Sequence, residues 1–292
     1  MNKTKIDWAD MSWNPVTGCL HGCDYCYARK IAERFKGGGY GKQMGMFIAR
    51  FKDDAFKPPY DLCEPHLAKT KDGWCRDAPY PFGFEPTFHR YRLYEPKRIK
   101  KPQTVFVCSM ADLFGDWVPD EWIAEVFKAC EAAPQHRYLF LTKNTKRYEK
   151  VLDHYFPPNM WFGWSQDGPM GYEMAHITDN SIQSFVSIEP LRRPFDAFDV
   201  RGLDWAIVGA ETGNQKSKVV PGKAWVDDIA AACKKANVPV FMKSSLRDLM
   251  GEDFVQEYPW EAGSVRDRSE NAPRRLYQPP DMSVAAGLLE ED

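Results

Sequence analysis

A chain of 292 residues, 43% of them hydrophobic, is long enough to bury the core of one large or two ordinary domains. Its net charge of −2 excludes a uniformly basic, polyanion-binding surface, although local basic patches are compatible with it. No run of about 18 apolar residues is present, so no membrane-spanning helix and no membrane partner are predicted. Because the N-terminus lacks the apolar stretch of a signal peptide, we expect a cytoplasmic, reducing location. Cysteines there act as ligands or free thiols.

The first predicted strand, SWNPVTG, leads into three closely spaced cysteines, and the predicted helix YARKIAERF follows them. The cysteines are Cys19, Cys23 and Cys26, in a C-x3-C-x2-C pattern. Three thiolates at this spacing can each bind one iron of a cubane iron–sulfur cluster and leave the fourth iron open. The alternative is a zinc knuckle, which needs a fourth ligand such as His21 or a distant cysteine.

Residues 37–103 differ from the rest in being rich in proline, glycine and aromatic residues. We expect an ordered insertion that packs over the mouth of the barrel formed by the later strands. Whether its two cysteines, Cys63 and Cys75, hold a second metal stays open. Its last part, HRYRLYEPKRIKK (89–101), interleaves cations with tyrosines, which is typical of nucleic-acid binding but also of a solvated linker.

From residue 104 onward, short apolar runs alternate with amphipathic segments. The segments at 119–134 and 222–238 have helical periodicity. Six runs predict buried strands: TVFVCSM, RYLFLTKN, MWFGWS, SFVSIEP, LDWAIVGAE and VPVFMKSS. With the N-terminal strand they predict an α/β fold, a partial (βα)6–7 TIM-type barrel over residues 1–262. The polar tail at 263–292 is expected to be poorly ordered.

Every predicted strand from 104 onward ends in polar residues, and the carboxyl ends of parallel strands form the active sites of such folds. An alternative is that these residues merely begin loops. The strand-end candidates are Ser109, Asp112, Thr142, Lys143, Ser165, Glu189 and Glu211.

The cysteine pattern, with Tyr25 before the last cysteine, resembles the radical S-adenosylmethionine signature. The blocks TKIDWADMSWNPVTGC, FVCSMADLFGDWVPDEWI, FLTKNTKRY, PPNMWFGWS, FVSIEPL and LDWAIVGAETG are similar to the phage Gp37/Gp68 family, a radical SAM group of unknown function. One departure is GAETG where the family often has a GGESG-type turn. This keeps Glu211 but changes its neighbours to Ala210 and Thr212.

The resemblance implies that Cys19, Cys23 and Cys26 hold a [4Fe–4S] cluster whose open iron binds the amino and carboxylate groups of S-adenosylmethionine. It also implies reductive cleavage to a 5′-deoxyadenosyl radical, which abstracts hydrogen from a substrate. A one-electron donor such as a flavodoxin or ferredoxin is the implied partner.

The cofactor contacts implied by strand order begin with Ser109 and Asp112, near the methionine amine. Thr142 and Lys143 are expected near the carboxylate, for which a lysine is a suitable point charge. For each, a hydrogen bond at the barrel mouth without cofactor contact is the alternative.

Ser165 suits a ribose hydroxyl, and Glu189 or Glu211 suits a ribose hydroxyl or the substrate. Tyr25 is grouped with the cofactor-binding residues. Cys108, inside a predicted strand, is a candidate hydrogen-atom donor to a substrate radical. The alternative for Cys108 is simple core packing.

The predicted substrate is a nucleotide or nucleic acid, on the composition of 89–101. The alternative function is a zinc-stabilised or degenerate barrel that binds nucleic acid, or a partner protein, without radical chemistry.

Overall fold

The structure, a computed structural model, describes residues 1–36, 58–69, 75–151, 158–167, 182–195, 198, 200, 202–212 and 218–261. The predicted tail at 263–292 and two parts of the predicted insertion, 37–57 and 70–74, lie outside the described residues.

Strands and helices alternate along most of the described chain. The strands are β1 (Asn2–Lys3), β2 (Met11–Trp13), β3 (Val16–Thr17), β4 (Tyr60–Leu62), β5 (Leu67–Lys69), β6 (Cys75–Asp77), β7 (Thr87–His89), β8 (Thr104–Val107), β9 (Arg137–Thr142), β10 (Met160–Gln166), β11 (Gln183–Ile188), β12 (Trp205–Val208) and β13 (Val240–Met242). The helices are α1 (Tyr27–Arg34), α2 (Glu95–Arg98), α3 (Asp120–Glu131), α4 (Lys146–Val151), α5 (Lys223–Lys235) and α6 (Arg247–Met250). No helix in these ranges is long and apolar enough to cross a membrane.

An eight-stranded sheet in the order β1-β2-β8-β9-β10-β11-β12-β13 dominates the fold. All its neighbouring strands are parallel except β1 and β2. The prediction of six buried strands after residue 104 is confirmed, as is the mixed α/β class. The amphipathic segments at 119–134 and 222–238 form α3 and α5.

The strand predicted before the cysteines is wrong in extent, because it divides at Asn14-Pro15. Its first half, β2, pairs with β8, whereas its second half, β3, leaves the large sheet and pairs antiparallel with β7. Proline lacks the N–H that would continue the ladder. The Asn14 side chain also accepts hydrogen bonds from Met110 N (3.0 Å) and Ser109 Oγ (3.2 Å), which hold the turn.

Side chains alternate between the two faces of the large sheet, as the period of a strand requires. One face packs on the helices, where Phe127 of α3 meets Phe140 and Phe162 at centroid distances of 5.3 and 6.0 Å. The opposite face carries a second, largely aromatic core: Trp8, Phe106, Leu139, Trp161, Phe185, Trp205, Ile207 and Phe241.

This second face is concave, because Trp8 contacts strands that are far apart in the sheet. Its ring centroid lies 4.6 Å from that of Phe106 on β8 and 6.4 Å from that of Trp205 on β12. Asp7 next to it accepts hydrogen bonds from the backbone N (2.6 Å) and hydroxyl of Ser244, just after β13. The pairings in the described ranges do not join β13 to β1, so the sheet as described curves without closing.

Gly163 on β10 lets this inner core pack closely, since a Cβ there would lie 2.4 Å from the ring of Phe185 on β11. Gly163→Ala should lower the free energy of unfolding by about 1–3 kcal/mol through overpacking. Urea unfolding measures this. Gly222→Ala is the matched control: its Cβ would have no neighbour nearer than 3.6 Å, and a loss below about 1 kcal/mol is expected. Equal losses in the two variants would contradict the tight fit.

Because of Cys233 on α5, we expect the free energy of unfolding to fall as the pH rises in the alkaline range. Cys233 is fully buried, and burial raises its thiol pKa to about 12, against about 8.5 in an unfolded chain. Above about pH 9 the unfolded chain releases this proton and the folded chain keeps it. The contribution of the protonated Cys233 thiol to the free energy of unfolding is therefore complete below about pH 8.5. It is lost at about 1.4 kcal/mol per pH unit as the pH rises towards 12.

Cys233→Ala should make the fall in unfolding free energy between about pH 9 and 10.5 shallower by that slope, in urea titrations of the metal-free chain. Val226→Ala, on the same buried face of α5, should lower stability equally at every pH and leave the slope unchanged. An unaltered slope in Cys233→Ala would refute the assignment.

Candidate functional site

A cavity of about 880 Å³ opens at the carboxyl ends of the parallel strands, on the concave side of the sheet. This volume is in the range of sites for cofactors and small ligands. The cavity brings together the predicted cluster cysteines, the predicted cofactor-binding residues and the candidate hydrogen-atom donor: Cys19, Cys23, Tyr25, Cys26, Cys108, Ser109, Asp112, Thr142, Lys143, Ser165, Glu189 and Glu211.

The cysteine loop is held tightly at its start. Gly18 has φ +89°, and a Cβ there would lie 2.2 Å from the Glu85 carbonyl oxygen, so only glycine fits. Its N–H donates to Met110 O (2.9 Å). At the other end, Cys26 caps α1, its Sγ accepting from Arg29 N (3.4 Å). The Arg29 guanidinium returns to Cys19 O (3.2 Å), so one residue of α1 fixes both ends of the loop.

The three loop thiols are half-buried and unpaired by disulfides. The pKa of Cys19 is raised to about 12, chiefly by burial and also by the nearby Asp112, Cys26 and Cys23, although a backbone hydrogen bond from His21 lowers it. Three thiolates side by side therefore need a cationic centre to neutralise them. Three sulfur donors on a rigid loop, facing an open cavity, fit an iron–sulfur cluster.

No group of three or more His, Cys, Asp or Glu side chains placed to hold one metal ion occurs in the described residues, and this includes the three loop cysteines. Cys63 is an exposed free thiol, and the Cys75 side chain lies outside the described atoms. A second site at this pair stays a prediction.

Asp112 is the centre of the polar contacts beneath the loop. Asp112 is only 5% exposed, and both of its carboxylate oxygens have hydrogen-bond partners. It contacts His21 Nε2 (2.7 Å) and accepts from Thr142 Oγ1 (2.8 Å), Lys143 N (2.9 Å) and Phe114 N (3.0 Å). Asp112 and Thr142 thus hold the cysteine loop to the ends of β8 and β9. His21, considered above as a zinc ligand, has Nε2 occupied by this contact.

Cys108 and Ser109 follow β8 directly. Cys108 is buried in the helix-side core and also reaches the cavity, with a left-handed φ of +59°. Burial raises its thiol pKa to about 12, so it keeps its proton at neutral pH. Ser109 donates its hydroxyl to Asn14 Oδ1 (3.2 Å), and its carbonyl accepts from Tyr27 OH (2.8 Å).

Lys143 lies beside the cysteine loop, and its hydrogen-bond partners among the described residues are neutral. Its Nζ is 2.9 Å from Tyr25 OH and 3.2 Å from Ser165 Oγ. Burial lowers the pKa of this ammonium, but the hydrogen bond to Tyr25 and the nearby Cys23 and Asp167 outweigh it, so the pKa is raised. A charged lysine bonded to hydroxyl groups can still bind an anion in the cavity.

Ion pairs of two cations, Lys243 and Arg192, lie at the edge of the cavity. Lys243, just after β13, pairs with Glu189 after β11, and Gly209 gives the lysine stem room, since a Cβ would lie 2.9 Å from its Cδ. Arg192 Nε lies 3.7 Å from Glu211 Oε2, while its Nη1 reaches Asp24 in the cysteine loop (3.3 Å).

The sequence-based site omitted two of these partners and gave a third, His21, only as a possible zinc ligand. Lys243 carries the same strand-end signal as the chosen residues. Arg192 has no local signal, because its partners are distant in the sequence.

Asp112→Asn should destabilise the chain by about 1.5–3 kcal/mol, because an amide presents one acceptor oxygen to donors that now share two. Urea unfolding of the metal-free protein measures this. Thr142→Ser, which keeps the hydroxyl that donates to Asp112 and accepts from Asn144 N (2.9 Å), is the control and should cost less, about 0.8 kcal/mol for the lost methyl group. An Asp112→Asn loss no larger than that of Thr142→Ser would show that the carboxylate does not organise the loop.

Comparison with known proteins adds one match. The family model described as protein of unknown function (DUF5131) matches residues 3–248. No curated protein matches, and no solved structure matches. Since the matched range covers most of the chain, this protein belongs to the DUF5131 family.

Proposed function

We propose that this chain is a radical SAM enzyme of the phage Gp37/Gp68-like group, built on a partial TIM-type barrel. The observation that carries the proposal is the cavity itself. Three cysteines spaced for a cluster share it with the polar ends of the parallel strands. Sites at the carboxyl ends of parallel strands are the rule in α/β barrels.

The barrel part of the proposal is supported by the curvature around Trp8. The Asp7–Ser244 contact brings the N-terminal segment against the end of the last strand, as in a barrel whose final gap is bridged without a ladder. The domain assignment, a barrel over 1–262 with an insertion at 37–103, remains part of the proposal.

Cys19, Cys23 and Cys26 would hold a [4Fe–4S] cluster. When bound and reduced, it supplies the electron that cleaves S-adenosylmethionine into methionine and a 5′-deoxyadenosyl radical. The protein binds and orients the cofactor. Lys143 offers a positive charge for its carboxylate, beside the cysteine loop.

Other cavity residues divide into ligand-facing and positioning groups. Ser165 accepts one hydrogen bond from Lys143 and keeps its proton to donate to a ribose hydroxyl. Glu189 and Glu211, with their cations, form the rim suited to ribose or substrate. The side chains of Asp112 and Thr142 form their hydrogen bonds with other groups of the protein, so we assign them to positioning the loop rather than to cofactor contact.

The apolar inner face beneath this rim excludes water from the reacting groups. Cys108 touches the same space with its proton retained, which suits the proposed hydrogen-atom donor. The one-electron donor, a flavodoxin or ferredoxin, would have to approach near the half-exposed cysteines.

Anaerobic reconstitution tests the function directly. The parent chain should bind about four irons with matching sulfide and, with dithionite and S-adenosylmethionine, release 5′-deoxyadenosine. Cys23→Ala should lose both, while Cys63→Ala, which removes an exposed thiol, should lose neither. Tight binding of one zinc without 5′-deoxyadenosine would establish the zinc-stabilised alternative. A cluster without 5′-deoxyadenosine would indicate a degenerate partner protein.

A further inference from the structure

Helix α1, which follows the cysteine loop, carries a cationic and apolar stripe on its exposed side. The stripe consists of Tyr27, Lys30, Ile31, Arg34 and the C-cap residue Phe35, spaced i, i+3, i+4, i+7 and i+8. We call these five residues the α1 stripe. Residues at this spacing share one helix face. Tyr27, Ile31 and Phe35 are 51%, 37% and 48% exposed. The single carboxylate of α1, Glu33, lies off the stripe, 3.9 Å from Lys36.

The exposed rings of the stripe have defined neighbours. Tyr27 OH donates to Ser109 O (2.8 Å), which anchors the ring while half its surface faces outward. The Arg34 guanidinium carbon lies 5.4 Å from the centroid of the Phe35 ring. An anchored exposed ring loses little entropy when a flat partner stacks on it.

The stripe continues into the cavity. Its first three residues, Tyr27, Lys30 and Ile31, line one wall, together with Lys5 and Tyr80. Neither lysine has an ion pair among the described residues.

Among the described residues three carboxylates line the cavity, and burial and then the nearby charge of Glu189 raise the pKa of Tyr27 in the stripe. The three carboxylates are Asp112, Glu189 and Glu211, and each already contacts a cationic or ring partner, namely His21, Lys243 or Arg192. The uncompensated charge on the α1 wall is therefore positive.

The sequence-based nucleic-acid prediction rested on the basic stretch at 89–101. In the first half of this stretch, most cationic side chains already contact other groups of the protein. His89 is buried against Thr17 (2.9 Å), and Arg90 pairs with Asp61 and Glu125. Arg92 donates to Asn14 O (2.9 Å). Lys97, Arg98, Lys100 and Lys101 in the second half have no ion pair among the described residues, but none of them lines the cavity, whereas the α1 stripe leads into it.

We propose that the α1 stripe and the cavity wall behind it bind single-stranded nucleic acid. Phosphates would contact Lys5, Lys30 and Arg34, and an unpaired base would stack on Tyr27 at the cavity entrance. Cations in line with exposed rings suit a single strand, because every base offers a flat face whereas a duplex hides it. The inference rests on the proposed function only for what happens to the nucleotide afterwards.

Fluorescence anisotropy of the full chain with a fluorescein-labelled oligonucleotide of about 12 nucleotides tests binding, since a few nucleotides already fill such a site. Lys30→Gln combined with Arg34→Gln should weaken binding about tenfold or more at low salt, and should reduce the slope of log Kd against log salt by about 1–2. Phe35→Ala should weaken it about fivefold or more. The matched control, Lys100→Gln with Lys101→Gln, removes the same charge from the 89–101 stretch and should leave binding unchanged.

Loss of affinity in the Lys100/Lys101 control equal to that in the α1 variant would overturn the proposal in favour of 89–101. An unchanged affinity in the α1 variant, absent binding at low salt, or preference for the duplex would also overturn it. A mononucleotide that binds when the oligonucleotide does not would identify a free nucleotide and reject the strand.

The binding assay needs neither cluster nor S-adenosylmethionine. A failure of the proposed chemistry therefore leaves its result standing, and a failure of binding leaves the chemistry untouched. Circular dichroism of each variant confirms that the exposed substitutions preserve the fold.

Discussion

The carboxylate of Asp112 is the interaction on which the site depends. A buried carboxylate is costly unless donors surround it, and here they come from three separate pieces of chain: the cysteine loop, the turn after β8 and the end of β9. Removing any one piece would leave a charge partly unsatisfied. The three pieces therefore have one low-energy arrangement, and that arrangement sets where the cysteines stand relative to the strand ends.

The division of the cavity into an apolar floor and a polar rim follows from strand periodicity and register. Leu141, Gly163, Phe185 and Trp205 occupy one level across four neighbouring strands. Two residues further along, on the same face, come Lys143, Ser165, Ser187 and Ile207. Because side chains on one face recur every second residue, a strand that changes from apolar to polar near its end places its polar group directly above the floor. Trp8 fills the floor from the N-terminal side.

The sequence predicted the parts of this arrangement that depend on local pattern. Buried strands such as Trp205–Val208 are short apolar runs, and the helix at Asp120–Glu131 repeats every three to four residues. The strand-end residues could be identified from the sequence because a parallel topology places the residues that follow each strand at the same edge of the sheet. The pattern could not show that Asn14 and Pro15 divide the first strand, because the partners of Asn14 lie about 95 residues away. The pattern also could not distinguish Asp112, whose carboxylate is occupied by hydrogen bonds within the protein, from Lys143, whose ammonium can still bind an anion. Both are polar residues after a strand, and only the distribution of donors distinguishes them.

The same limit explains why composition alone cannot locate a polyanion-binding surface. Cations at 89–92 and on α1 look alike in sequence, yet Arg90 meets two carboxylates whereas Lys30 meets none in the described residues. The charge of an ion-paired arginine is largely neutralised and attracts a phosphate only weakly. Moving Arg90 to a phosphate would also leave its two carboxylate partners unpaired. An unpaired lysine at a cavity entrance gives up only water when an anion arrives. On the proposal made above, a polyanion would therefore be attracted to the cations at the cavity entrance that the fold leaves without a carboxylate partner, next to the cysteines.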